Sequence, residues 1–409
     1  MATENKSPEV RFEGFNDKWK KNYLEDEIDF YSGLTYSPLD VQKGEGTFVI
    51  RSSNVKNSEL VNADDVFVNP EIVNCLNVEK GDIAVVVRNG SRSLIGKHAQ
   101  IKEILKNTVI GAFMTGLRPK NNSDFINALL DTQTFQKEIQ KNLGATINQI
   151  TTGPFKKMEF FFPNIEEQKV VGDFFKNLNK SISVSKIKLT KLKNLKKAML
   201  VKMFPQEGAT IPEIRFKGFD GEWEDSTLDN EVHFFSGLTY SPLDVDSKAD
   251  TLVLRSSNVK RDEIIDADNV YVDSSVINCT YVEVGDIVVV VRNGSRNLIG
   301  KHAQVKRAMN NTVIGAFMTG IRAKVPSFLN AMLSTLLFQK QVEENLGATI
   351  NQITTGVFKN MVFKFPIENE QIKIGQYFEN LDNLILNHNE QLKKLNSIKK
   401  ACLSKMFVA

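Results

Sequence analysis

The polar side chains of this chain best suited to recognition chemistry occur as two matching sets. The first comprises Thr35, Tyr36, Arg51, Ser53, Asn54, Arg88, Asn89, Ser91, Arg92, Lys97, His98, Thr146, Asn148, Gln149, Thr151 and Thr152. The second comprises Thr239, Tyr240, Arg255, Ser257, Asn258, Arg292, Asn293, Ser295, Arg296, Lys301, His302, Asn351, Gln352, Thr354 and Thr355. They lie in the repeated stretches SGLTYSP, RSSN, RNGSR, GKHAQ and GATINQITTG. Arg, Asn and Gln can pair at two points with the edge of guanine or adenine, whereas Ser, Thr, Lys and backbone amides suit phosphate oxygens. The mixture fits duplex DNA read from a groove. Local structure offers a competing account of each piece. RNGSR after a β run is a good hairpin turn, because Asn-Gly supplies two positive φ angles. GATIN and TTG suit loop and helix-cap chemistry, and a lone His98 fits a hydrogen-bonded structural role as well as that of a base or ligand.

Catalytic constellations are missing. GSRSLIGKH has five residues between Gly90 and Gly96 where a phosphate-cradling loop needs four, and His98 stands where Ser or Thr would hold magnesium. The chain has no GxSxG, HExxH or CxxC pattern, nor the Asn/Asp-Pro-Pro-aromatic pattern expected of an adenine amino-methyltransferase. Cys75, Cys279 and Cys402 are few and odd in number, which argues against a disulfide framework. With no His or second Cys at metal spacing, each reads as a small buried residue, and no metal site is expected.

Such loops need elements to hold them. At 409 residues the chain exceeds one ordinary core, and 41 % hydrophobic with 25 % charged residues is ordinary globular composition. The longest aliphatic runs, IAVVV and IVVVV, are far too short to cross a membrane, and MATENKSPEV has no apolar signal stretch, so a cytoplasmic protein is expected. A net charge of +3 gives only weak attraction to a polyanion. From RFEGF and RFKGF onward the halves align at an offset of 204 positions, which becomes 203 before NLGATINQITTG. Each half opens with short β-type runs such as TFVIRSSNV and DIAVVVRNG. A helix is expected around DFINALLDTQTFQKEIQKNL, from the spacing of Phe125, Leu129, Phe135 and Ile139.

Each half closes with a long Pro-free helix. Phe174, Leu178, Ile182, Leu189, Leu192 and Met199 form an apolar stripe on the first; Tyr377, Leu381, Leu384, Leu392, Leu395 and Cys402 do so on the second. The spacing predicts a coiled-coil seam, on helices about 50 Å long. The fold class is therefore mixed α/β (α+β), with recognition domains at residues 1–165 and 206–368 and helices at 166–205 and 369–409. The short linker Pro205–Pro212 and an approximate two-fold relation between equal units predict an antiparallel helix pair with the domains at opposite ends. Nine lysines between Lys176 and Lys202, with no acid among them, form either a solvated face or an attraction for phosphate or an acidic partner.

Identity is unevenly spread between the halves. From Gly81 to Gln100, 18 of 20 residues match their counterparts, against 17 of 38 from Glu167 to Phe204. Duplication alone would spread identity evenly, so both domains are expected to bind the same ligand.

With this layout the sequence resembles the specificity (S) subunit of type I restriction-modification systems. The stretches that carry the likeness are PNIEEQKVVGDFF from Pro163 and PIENEQIKIGQYF from Pro366, with helices closing on LKKAMLVKMF and IKKACLSKMF. The resemblance implies two target-recognition domains separated by helices that act as a ruler, each binding half of a bipartite site in double-stranded DNA. It implies no catalysis and no cofactor in this chain. Two modification (methyltransferase) subunits would supply S-adenosylmethionine chemistry, and restriction/translocase subunits would use ATP and magnesium. The helices and adjoining surfaces would dock the modification subunits. The near identity of the two domains departs from the family's usual pair of different readers and predicts an inverted-repeat target. A bivalent adaptor for RNA or protein is the alternative, but aromatic stacking residues, usual in readers of single-stranded RNA, are not what the repeat retains.

Overall fold

A computed structural model of the chain describes residues 6–143, 148–260, 262–346 and 351–408. It forms two compact units: the described residues of Met1–Lys186 with Glu390–Ala409, and those of Ile187–Asn389. Each unit thus takes one mixed α/β domain together with part of each long helix.

In the first unit Ile83–Val86 lies inside an antiparallel sheet ordered Ile28–Ser32, Met114–Pro119, Ile83–Val86, His98–Gln100. All four residues of Ile83–Val86 are buried, so the run is uniformly aliphatic rather than alternating. A second sheet pairs Thr47–Ile50 in parallel with Thr108–Ile110 and antiparallel with Val66–Val68, which also pairs with Val41–Gln42. The second unit repeats the first sheet as Val232–Ser236, Met318–Ala323, Ile287–Val290, His302–Gln304. It repeats the parallel pair as Thr251–Leu254 with Thr312–Ile314.

The helix expected over DFINALLDTQTFQKEIQKNL is two helices, Ser123–Leu130 and Gln133–Asn142. Thr132 interrupts them because its hydroxyl accepts from the Phe135 amide and starts the second helix. Phe125, Leu129, Phe135 and Ile139 all enter the core.

The long helices span Ile165–Lys202 and Glu368–Lys405. Along the first and the residue that follows it, Val171, Phe175, Leu178, Ile182, Ser185, Leu189, Leu192, Lys196, Met199 and Met203 recur in steps of four and three, and none is exposed. Ile374, Phe378, Leu381, Ile385, His388, Leu392, Leu395, Lys399, Cys402 and Met406 do the same in the second. This corrects the stripe in three places. Phe175 and Phe378 hold the seam rather than Phe174 and Tyr377, which turn instead to Phe12 and Phe216 of the RFEGF and RFKGF segments. Leu384 is exposed and Ile385 takes its place.

Within the first unit the start of one long helix meets the end of the other. Phe175 packs 5.7 Å from Phe407, which also meets Phe125 and Trp19. In the second unit Phe204 packs 6.0 Å from Phe378 and meets Trp223 and Phe328. Start against end is the arrangement of an antiparallel pair. Such aromatic contacts add about 0.5–1.5 kcal/mol each beyond the area they bury. Gly172 lets the first long helix approach the start of Ser123–Leu130, since a Cβ there would lie 2.2 Å from Asn122 Oδ1. Gly375 serves the same purpose beside Ser327.

Candidate nucleic-acid interface

The repeated stretches come together at one edge of each domain. Val87 and Arg88 both donate their amides to the Phe113 carbonyl. Arg88 bridges Gln149, the Asn89 amide donates to the Asn148 carbonyl, and Asn148 Nδ2 donates to the Gly90 carbonyl at 2.9 Å. Asn89 Nδ2 donates to Ser52 Oγ at 3.0 Å, joining RNGSR to RSSN. Leu34 bridges Gly111, and a Cβ on Gly33 would stand 2.1 Å from the Gly111 carbonyl oxygen, so SGLT can lie against IGAF only with glycine there. The second unit repeats these links: Arg292 with Gln352, Asn351 with Gly294, and Asn293 with Ser256 at 2.9 Å.

This network makes RNGSR an ordered loop rather than a tight hairpin. Neither Asn89 nor Gly90 adopts positive φ; the loop runs from Val87 to Lys97, contains a 3-10 turn at Arg92–Leu94, and returns through Gly96 at φ 83°. Asn89 is consumed as a strut, its Oδ1 accepting from the Ser91 amide. Arg88 is exposed and lies with its guanidinium 5.0 Å from the centre of the half-exposed Phe113 ring. Arg292 and Phe317 repeat the pair at 4.9 Å. An aromatic ring under a guanidinium favours its charge and restrains its plane. Phe113 and Phe317 were not among the polar candidates, although NTVIGAFMTG is identical in both halves.

Thr35, Ser91, Arg92, Lys97, Thr151 and Thr152 are exposed, as are Thr239, Ser295, Arg296, Lys301, Thr354 and Thr355. Tyr36, Ser53 and Gln149, with Tyr240, Ser257 and Gln352, are half-buried. Arg92 reaches Gln140 and Arg296 reaches the Glu343 carbonyl, so both lean toward the neighbouring helix. Thr354 Oγ1 accepts from the Val357 amide, the helix-cap role foreseen for TTG. Thr146 lies outside the described residues.

Four expectations are corrected by burial. Asn54 and Asn258 are 1 % and 0 % exposed. Asn54 Oδ1 accepts from the Arg51 amide, and its Nδ2 donates to the Ala63 carbonyl and Asp65. Asn258 holds Arg255 and Ala267 in the same way. These side chains shape RSSN and have no surface to offer a ligand. Arg51 and Arg255, half-buried, engage their guanidinium groups with the carbonyls of Asp64 and Asp268. His98 and His302, each 4 % exposed, are structural. His98 Nε2 lies 3.4 Å from Asp131, and His302 Nε2 lies 3.2 Å from Ser334 Oγ.

Burial, the largest influence, pushes the His302 imidazole below its ordinary range; the Asp262 carboxylate opposes this and Lys196 reinforces it. A histidine held neutral in the fold contributes stability that is complete above its unfolded value of about 6.5 and is lost as pH falls toward the folded value. Urea denaturation of the chain is therefore expected to show stability declining below about pH 6.5, with His302→Asn removing part of that decline. Parallel pH profiles for the two proteins would contradict the assignment.

Among the described residues no group of three His, Cys, Asp or Glu could hold a metal ion, and no helix is long and apolar enough to cross a membrane. The three cysteines are free, and burial raises each thiol above its ordinary value.

Fold and face together define a double recognition module, with two copies of one Arg-bearing loop cluster on two α/β domains joined to paired helices. The type I restriction modification DNA specificity domain matches residues 16–194 and again 221–397, so the chain belongs to the family of specificity subunits of type I restriction-modification systems. It is 24 % identical over 416 residues to the StySPI specificity subunit of Salmonella potsdam, and 24 % over 403 residues to the EcoKI specificity subunit of Escherichia coli K12. Each alignment covers 92 % of this chain and 85 % of the relative. The crystal structure of the S subunit of the type I system of M. genitalium has the same fold, with a TM-score of 0.69, 15 % identity, and coverage of 98 % of this chain and 99 % of that one.

Proposed function

We propose that each domain binds one half of a bipartite site in duplex DNA and that the two halves form an inverted repeat around a spacer. The chain itself performs no chemistry. It directs modification subunits, which carry S-adenosylmethionine, and restriction subunits, which use ATP and magnesium. The observation that carries this reading is the pairing of faces: Arg88 over Phe113 and Arg292 over Phe317, each framed by the same loops, in two domains whose helices have diverged. Two copies of one reading face should select equal half-sites, and the two-fold relation expected from the repeated sequence would put those half-sites on opposite strands. The exposed Arg, Lys, Ser and Thr side chains supply both phosphate anchors and base-edge donors.

The chain assembled with its modification subunits should select, from duplexes with a randomised core, sequences carrying one motif twice in inverted orientation. Selection of single-stranded RNA instead of duplex would favour the bivalent adaptor.

A further inference from the structure

One lysine on each long helix occupies a seam position that should be apolar. Lys196 and Lys399 stand 203 positions apart in the heptad register, and their side chains are only 14 % and 20 % exposed. A mostly buried ammonium needs a carboxylate. Lys399 Nζ lies 2.7 Å from Asp131 Oδ2. Asp131 follows the helix Ser123–Leu130 and is 12 % exposed. Its other oxygen accepts from Ser58 Oγ at 2.7 Å and faces His98.

The second unit keeps the lysine and the histidine but moves the acid. The counterpart of Asp131 is Ser334, and the counterpart of Ser58 is Asp262. Lys196 Nζ lies 3.6 Å from Asp262, while Ser334 Oγ lies 3.2 Å from His302. Asp382, at 2.7 Å from Lys196, adds a carboxylate from the second long helix where the first copy has Asn179. Each domain therefore presents one acid to its lysine and keeps a serine at the other of the two positions, with acid and serine exchanged between the copies. Ser58 and Asp262 occupy the same left-handed turn, at φ 61° and 60°. That turn closes the small hairpins Val55–Lys56 with Glu59–Leu60 and Val259–Lys260 with Glu263–Ile264, each beginning one residue after RSSN.

We propose that Lys399 and Lys196 are positioning residues that fix the RSSN edge of each reading face in register on its helix, through one domain carboxylate that has changed sides between the copies. The inference deepens the DNA-reading assignment and rests on it. An apolar residue at either lysine would satisfy the seam but leave the domain free to shift along it. A polar seam residue specifies register at some cost in stability, which is the trade seen here.

The test uses the full chain, alone for thermal unfolding and assembled with its modification subunits for binding to duplexes whose spacer is native or one base pair longer. Asp131→Ser should lower the melting temperature and reduce the preference for the native spacer about fivefold, the equivalent of about 1 kcal/mol. Adding Ser58→Asp, which puts the domain's acid where the second unit carries Asp262, should restore both. Failure of the added acid to restore the melting temperature overturns the exchange of carboxylates. A lowered melting temperature with unchanged spacer preference overturns the positioning role and leaves the lysine a mere structural contact. Absence of duplex binding by the wild-type assembly would instead overturn the DNA-reading assignment and with it the positioning role, while the melting cycle would still decide the exchange.

Discussion

Replacing Arg11 by Ala is expected to destabilise the chain by about 3–5 kcal/mol, the usual cost of stranding a buried charge. The carboxylate at risk is Glu167, whose side chain is 1 % exposed. Arg11 donates to both of its oxygens, from Nε and Nη2 at 2.6 Å each, and Trp19 Nε1 adds a third donor at 3.2 Å. The hydrogen bonds that Arg11 donates to Glu167 outweigh the cost of burial and raise the arginine's affinity for its proton. Without Arg11, the carboxylate keeps, among the described residues, the indole donor and the positive end of the first long helix, the latter worth about 0.3–1 kcal/mol in an ordinary setting. Neutralising both partners, as Arg11→Met with Glu167→Gln, should cost much less than Arg11→Ala, because no lone charge remains. Arg215 and Glu370 repeat the clasp at 2.7 Å, so Arg215→Ala should behave likewise in the second unit. Chemical denaturation of the single and double variants measures the difference. A loss below about 1 kcal/mol in Arg11→Ala would mean that water reaches Glu167 and the clasp is a surface pair.

The Arg88→Ala and Arg292→Ala variants should each lose about 1–3 kcal/mol of affinity for the specific site, which is roughly five- to 150-fold, and each should relax one half of it. Arg88 is fixed by a backbone bridge to Gln149, by the hydrogen bond its amide donates to the Phe113 carbonyl, and by the ring beneath its guanidinium. It therefore pays little entropy to present a planar fork to a base edge. A base-reading arginine and a phosphate-binding one differ in what their loss does. The first relaxes sequence preference at one position; the second weakens all duplexes alike and lowers the slope of log affinity against log salt by about one. Binding of half-site variants across a salt series distinguishes them. Uniform weakening would move Arg88 to the phosphate contacts. Phe113→Ala should mimic part of the loss while leaving the charge in place.

The two-domain layout was legible because duplication writes the same pattern twice. The heptads were legible in period but not in phase. Phe174 and Phe175 are both large and apolar, and only the Phe12 ring shows that Phe174 turns away from the seam. The Glu-Gln pairs after Pro163 and Pro366 could be noticed as signatures, but their physical meaning depends on Arg11 and Arg215, more than 150 positions away. The donor-rich loops were found, and within them retention for a ligand could not be told from retention for a scaffold. Asn54 and His98 are polar like Arg88 but spend their hydrogen bonds inside the domain. Phe113 carries no polar signal of its own, because its value lies in what it supports. The lysine joints were hidden for a related reason: the acid moves between Asp131 and Asp262, so neither position is identical in the two halves.

The inverted-repeat target is proposed from the likeness of the two faces, and mapping methylated adenines in a cell that contains the chain and its modification subunits tests it most directly. Modification should fall at sites built of one short motif and its reverse complement around a spacer of constant length, and Arg88→Ala or Arg292→Ala should broaden one half. Sites made of two unrelated half-motifs would contradict the claim that Arg88 and Arg292 sit on two copies of a single reading surface.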